Sequence, residues 1–419
     1  MVQASRRWAL MRAFLLLAAV GLGGCVADPG GAGYGRPPPV VGGRGGASND
    51  TGRRVAILVP LTGTNAELGQ TLLRAAQLAL EGPDAPALDV RDTGGTPEGA
   101  AAAAQSALAG GAGLILGPLT NIETAAVAPV ARSAGVPVLA FTSDAAQARQ
   151  GVWTLGITPG QQARRLVQAV QAEGKTRLAA VVPQNPFGLA LADGFTTAVS
   201  ASGLPEPQVL RYPGGFTGLN AALKEVSGYN TRRGAIEEQQ RQARARGAEG
   251  RTEAVELGRQ EVPPPTVDAL LLGAAGEQLG QARPLLTAYD IGPAQVRILG
   301  PAIWAREASR LGALSGAWYA APDPTTRAPF EQQYQARHNT PPRDLASLAF
   351  DAALVARGVA DRSGFPLSSL TRPQGFTGAD GLLALQPDGS VRRGLAIFEI
   401  GVGGSRIVQP APASLAPGT

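Results

Sequence analysis

The chain has 419 residues, 44% of them hydrophobic, with 56 glycines, 34 prolines and a net charge of +5. That length exceeds one ordinary core and points to two lobes. Aromatics make up only 5%, and no cluster mixes them with basic residues, so no nucleic-acid surface is expected.

Arg6, Arg7 and Arg12 precede and enter an apolar run, Trp8 to Val20, that ends in Leu22-Gly23-Gly24-Cys25. The run is too short for a membrane span and its end carries small residues, so residues 1–25 read as a secretory signal peptide. The tetrad resembles the lipobox of bacterial lipoproteins, in which the cysteine, here Cys25, is lipidated. Because Cys25 is the single cysteine, the fold must hold without an internal disulfide. Residues 26–52 are mostly Gly, Pro and small polar residues and read as a flexible tether.

From Arg53 onward, apolar strands alternate with helical patterns. Val55 to Val59 is a continuous apolar strand, as expected where both faces of a parallel sheet are covered. Asn65 is placed to cap a helix reaching Leu80. A strand from Leu88 to Arg91 leads to Thr96-Pro97, a cap followed by proline at the first helical position. Leu114-Ile115-Leu116 then stops at Gly117-Pro118. Thr120 and Glu123 read as a capping box for a helix to about Ala134. In open α/β sheets, the space beyond such a strand end is where ligands bind. Val136 to Phe141 is the next strand.

The pattern repeats with helix 161–173, strand 177–182, helix 189–202, strand 209–212 and helix 219–226. Strand 267–272, helix 277–289 and strand 296–299 follow. The segment 228–265 is dense in Arg, Glu and Gln; it reads as a solvated helix or a disordered insertion and not as core. A helix over 345–360 precedes strands 381–385 and 395–400, which flank the turn Gln386-Pro387-Asp388-Gly389. The fold class is α/β: doubly wound parallel sheets in two lobes.

Catalytic chemistry finds little support. His338 is the one histidine, in a polar segment, and reads as an ordinary surface residue. With Cys25 it leaves no His/Cys metal cluster and no Cys–His pair, and no Gly-x-Ser-x-Gly elbow exists. Neither an enzyme nor a cofactor is expected.

Val55 to Gly63, Leu114 to Asn121, Gly135 to Leu139, Asn185-Pro186-Phe187-Gly188 and Ala349 to Ala352 together resemble the type I periplasmic binding proteins, the leucine/isoleucine/valine-binding family. The resemblance runs over roughly residues 53–401. It implies two α/β lobes joined by three crossings, with a ligand cleft between them. The lobes would be 53–157 with 302–375, and 158–301 with 376–405, followed by a tail, 406–419. Ligand-carboxylate positions would fall at Thr120 and Asn121 and at Phe141, Thr142 and Ser143. Phe187 would pack without hydrogen-bonding. An amino-acid ligand also needs an acidic residue in the second lobe to pair with its ammonium. No carboxylate stands at the expected place, 299–304, and Glu277 is the candidate substitute.

That departure, together with residues 268–272, 282–286 and 376–395, resembles one branch, the penicillin-binding-protein activator lipoproteins. The resemblance implies an envelope lipoprotein on the periplasmic face, on the outer rather than the inner membrane. Its partner would be a penicillin-binding protein that synthesises peptidoglycan. The alternative is a lipid-anchored receptor delivering an amino-acid-like solute to an ABC permease.

Overall fold

The computed structural model describes residues 53–260 and 262–415. The signal segment, Cys25 and the tether all lie outside these residues. Among the described residues no helix is long and apolar enough to cross a membrane.

Strand β1 (Arg54–Val59) sets the layering of the first lobe. Val55, Ile57 and Val59 enter one core and Ala56 and Leu58 the other, because successive side chains leave opposite faces of a strand. All five are fully buried, each large one contributing about 1.5–3 kcal/mol. The chain continues through α1 (Ala66–Ala79), β2 (Leu88–Asp92), α2 (Pro97–Ala109), β3 (Ala112–Leu116), α3 (Asn121–Ser133), β4 (Val138–Ala140) and β5 (Val152–Thr154). The sheet is parallel, in the order β2-β1-β3-β4-β5. Asn65 sits at the start of α1 but makes no side-chain cap; Gly63 supplies a carbonyl to the Ala66 amide instead.

The second lobe opens with α4 (Pro159–Ala172), β6 (Leu178–Pro183), α5 (Pro186–Ala201), β7 (Gln208–Tyr212) and α6 (Phe216–Val226). Three helices follow, α7 (Tyr229–Arg232), α8 (Gly234–Ala245) and α9 (Ala248–Arg259). Then come β8 (Ala269–Leu272), α10 (Glu277–Ala288), β9 (Arg297–Gly300) and β10 (Trp318–Ala321). The charged insertion is therefore a helical hairpin, the first of the two expected forms. Only Ala243, Gly250 and Ala254 are buried along α8 and α9. A Cβ on Gly250 would lie 1.8 Å from the Ala243 carbonyl oxygen, so the two helices cross where a glycine permits it. At the base, buried Arg232 donates to the carbonyls of Ser227, Pro263 and Tyr289 at 2.7–2.9 Å.

The chain then returns to the first lobe through α11 (Pro324–His338), α12 (Ala346–Val359) and α13 (Leu367–Leu370). A three-stranded antiparallel sheet follows, β11 (Phe376–Gly378), β12 (Gly381–Leu385) and β13 (Val391–Arg393). Helices α1 and α12 cover one face of the first sheet, and α2 and α3 the other. Finally β14 (Ala396–Gly401) and β15 (Gly404–Gln409) complete a seven-stranded sheet ordered β15-β14-β10-β9-β8-β6-β7.

Three expectations change. The Gln386–Gly389 turn joins β12 to β13 rather than to residues 395–400, which instead pair with β10 in the other lobe. The second crossing falls after β10 rather than at residue 302, since Trp304, Leu311, Leu314 and Tyr319 all enter the second-lobe core. The third falls between β13 and β14 rather than at 375, because Phe376, Leu383, Leu385 and Val391 pack in the first lobe. Each crossing is placed by where apolar side chains find a core, a fact spread over residues distant in sequence.

Candidate functional site

The three crossings leave a cleft between the lobes holding a cavity of about 1150 Å³. On the first-lobe side, β3 ends at Gly117, whose φ of +87° suits glycine. A Cβ there would lie 2.3 Å from the Leu58 carbonyl oxygen. The chain then turns into α3 with the expected capping box at Thr120. The Thr120 hydroxyl and amide both donate to the Glu123 carboxylate, at 2.6 and 3.0 Å. The Thr93 hydroxyl adds a third donor at 2.5 Å, so fully buried Glu123 has the partners a buried charge requires.

Thr120, Asn121, Phe141, Thr142, Ser143 and Phe187 all line this one cavity. The ends of β3 and β4 therefore converge where sequence spacing places them. Two of their polar side chains are engaged with Asp144. Asn121 Nδ2 donates to Asp144 at 3.3 Å, and Thr142 Oγ1 accepts from the Asp144 amide at 3.1 Å. Asp144 also lines the cavity, placing a carboxylate of the protein among the groups expected to hold a ligand's carboxylate.

Glu277 does not belong here. It is exposed at the start of α10 and accepts from Gln281 Nε2 at 3.2 Å, outside the lining residues. The second-lobe carboxylate that does line the cavity is Asp193. Phe187, Ala190, Asp193, Gly194 and Thr197 share one face of α5, the i, i+3, i+4, i+7 spacing of a helix stripe. That period was legible in the sequence, but which face of α5 meets the cleft was not.

Three large apolar side chains stand partly open in the cleft: Phe187 (38% exposed), Ile303 (46%) and Leu345 (40%). An ion pair joins the lobes at its edge, from Arg306 beyond β9 to Asp344 before α12. Arg327, also in the lining, pairs with nearly buried Asp380 at 2.5 Å, and Ser347 donates to the same carboxylate at 2.7 Å. His338 lies away from the lining, at the end of α11, its ring 4.6 Å from that of Tyr334. Burial lowers its pKa. Among the described residues no group of three or more His, Cys, Asp or Glu is placed to hold a metal ion.

This architecture has known counterparts. A protein from Rhodospirillum rubrum solved as a branched-chain amino acid ABC transporter superposes with a TM-score of 0.65 at 17% identity, covering 85% of this chain and 99% of that one. The C-domain of LpoA from Haemophilus influenzae, a regulator of PBP1A, gives 0.62 at 17% identity over 85% and 99%. Full-length LpoA from the same organism gives 0.63 at 16%, and there the match spans 59% of the longer protein. At such identities the likeness is one of fold. No curated protein sequence matches the chain. The model of the periplasmic binding protein family matches residues 53–382, and with its two lobes, parallel sheets and interlobe cleft the chain belongs to that family.

Proposed function

We propose that the protein is a non-enzymatic envelope lipoprotein, anchored through Cys25, that supports peptidoglycan synthesis by contact with a penicillin-binding protein. The observation that carries this reading is the internal bonding of the cleft. Thr120 donates to Glu123, Asn121 donates to Asp144, and Thr142 Oγ1 accepts from the Asp144 amide. A free carboxylate entering there meets the like charge of Asp144, which lines the same cavity. The fold shared with the LpoA C-domain supports the same reading, and an anchor on the outer membrane with a long tether suits reach across the envelope. Pulldown of bifunctional penicillin-binding proteins by the purified chain, followed by a glycan-polymerisation assay, tests it. Recovery of a synthase with altered polymerisation is expected; no recovery from any such synthase refutes the reading.

A second reading rests on Asp193. It offers the ammonium of an amino-acid-like solute a second-lobe partner, as a receptor for an ABC importer requires. Thermal unfolding against leucine, isoleucine and valine tests it, because a ligand at a hundredfold excess over its Kd stabilises by about 2.7 kcal/mol. No shift with any of them removes this reading.

A further inference from the structure

A second cavity, of about 410 Å³, lies apart from the cleft lining where α4, the end of β13 and the carboxy-terminal segment meet. Arg164, Arg165, Arg392 and Arg393 all line it, with Gln168 and Ser414, and no carboxylate is among its lining residues. Like-charged groups repel, so four guanidiniums around one space need an explanation.

Two of them are engaged. Arg165 donates to the carbonyls of Leu395 and Pro410, at 2.8 and 3.2 Å. Arg393 donates to the Leu155 carbonyl and to Asp351. The other two have no such acceptor among the described residues. The Arg392 side chain makes no hydrogen bond or ion pair to a described residue. Arg164 has only a Coulombic neighbour, Asp388, whose carboxylate is held first by the hydroxyl and then by the amide of Ser390. Arg164 and Gln168 stand one turn apart on α4, at i and i+4, and Arg165 follows Arg164 in the chain, so the helix contributes two guanidiniums to the lining. Burial also lowers the pKa of Arg165.

We infer that this pocket is an anion site for a phosphoryl group, bound by Arg164 and Arg392 over a floor formed by Arg165 and Arg393. The guanidinium fork matches phosphate oxygens two at a time, which an ammonium does not. The cavity exceeds a single tetrahedral oxyanion and accommodates a diphosphate or a phosphodiester. Both a soluble diphosphate and an anionic lipid headgroup present that chemistry. The site is independent of the cleft and of the contact function proposed above.

The test titrates the full chain by calorimetry with inorganic pyrophosphate at fixed ionic strength. In parallel, sedimentation compares vesicles of phosphatidylglycerol with vesicles of phosphatidylcholine. Saturable pyrophosphate binding is expected, weakened about tenfold or more for each guanidinium lost in Arg164→Gln and Arg392→Gln. Arg392→Lys retains the charge without the fork and is expected to bind more weakly than wild type and more tightly than Arg392→Gln. Preference for phosphatidylglycerol alone, lost in the same variants, supports the phosphoryl site with lipid as its source. Binding of neither probe, or binding equal in wild type and both Gln variants, overturns the inference. Arg244→Gln on α8, remote in sequence from the pocket, controls for non-specific charge loss, and unchanged melting temperatures show that the variants are folded.

Discussion

Arg393 donates to the Leu155 carbonyl through both Nε and Nη2, at 3.1 and 2.8 Å, across 238 residues of sequence. Leu155 lies on the first crossing between the lobes and Arg393 on the third, so one buried side chain ties two of the three connections together. Its Nη1 reaches Asp351 on α12 at 3.3 Å, and both side chains of that pair are fully buried. Nearby, Trp153 Nε1 donates to Gln386 O at 2.7 Å and Gln161 Nε2 to Val391 O at 2.6 Å. The first and third crossings form one hydrogen-bonded unit. Arg393→Met leaves a buried carboxylate and a carbonyl without their partner, and a loss of about 3–5 kcal/mol is expected. Urea unfolding followed by circular dichroism checks it; a loss under 1 kcal/mol would mean that water replaces the guanidinium.

The same pair makes stability depend on pH. The Asp351 pKa is raised from the ordinary 3.8 to about 6, chiefly by burial and also by neighbouring Asp380, against the downward pull of Arg393. Between those two values the folded protein holds a proton that the unfolded chain releases. The contribution from this group is therefore present at low pH and is lost as pH rises from about 4 to about 6. The slope is at most about 1.4 kcal/mol per pH unit. Asp351→Asn is expected to flatten that slope in denaturant unfolding from pH 4 to 7, whatever its effect on absolute stability. Asp268 behaves oppositely. Hydrogen bonds from Arg177 hold it at about 2, so its contribution is lost only as pH falls from about 4 towards 2.

Helices α4 and α5 approach so closely that a Cβ on Gly194 would lie 2.5 Å from the Gly160 Cα. Both glycines line the cleft. Gly194→Ala forces the helices apart, at a cost of about 1–3 kcal/mol, and moves Asp193 and Phe187 with α5. A lowered melting temperature is expected, together with a change in any ligand or partner affinity that depends on the cleft. Ala190→Gly, on the same face, should leave the interhelical spacing as it is.

Thr120→Ala removes one cap of α3, worth about 1 kcal/mol, and one of three donors to Glu123. Thr120→Ser keeps the hydroxyl and should restore most of the loss. Equal losses in both variants would indicate that the methyl group, not the hydroxyl, does the work.

Much of the fold can be read locally. The Thr120–Glu123 box spans one helical turn, and the strand at 55–59 announces itself by five consecutive apolar residues, so both are placed from sequence alone. The grouping of Thr120, Asn121, Phe141, Thr142, Ser143 and Phe187 follows from strand ends and the resemblance. What escapes is what only the assembled lobes decide. β5 and β10 have three and four residues, too short to show a period. Glu277 and Asp193 both sit on second-lobe helices, and only the orientation of α5 and α10 separates the one that lines the cleft from the one that faces water. Asp144 looks like a loop residue until its amide and carboxylate are seen bridging Thr142 and Asn121.

The hairpin of α8 and α9 has a consequence for handling the molecule. Arg232 gathers three carbonyls from before, after and beyond the hairpin, which brings the two ends of the excursion back to a common root. A segment that leaves and re-enters a domain at one point can be exchanged without moving the strands on either side. The turn between α8 and α9, at Arg246-Gly247, is thus a natural seat for a fluorophore or a small reporter domain. A label placed there would report on what approaches this flank of the second lobe while leaving the cleft and the crossings untouched.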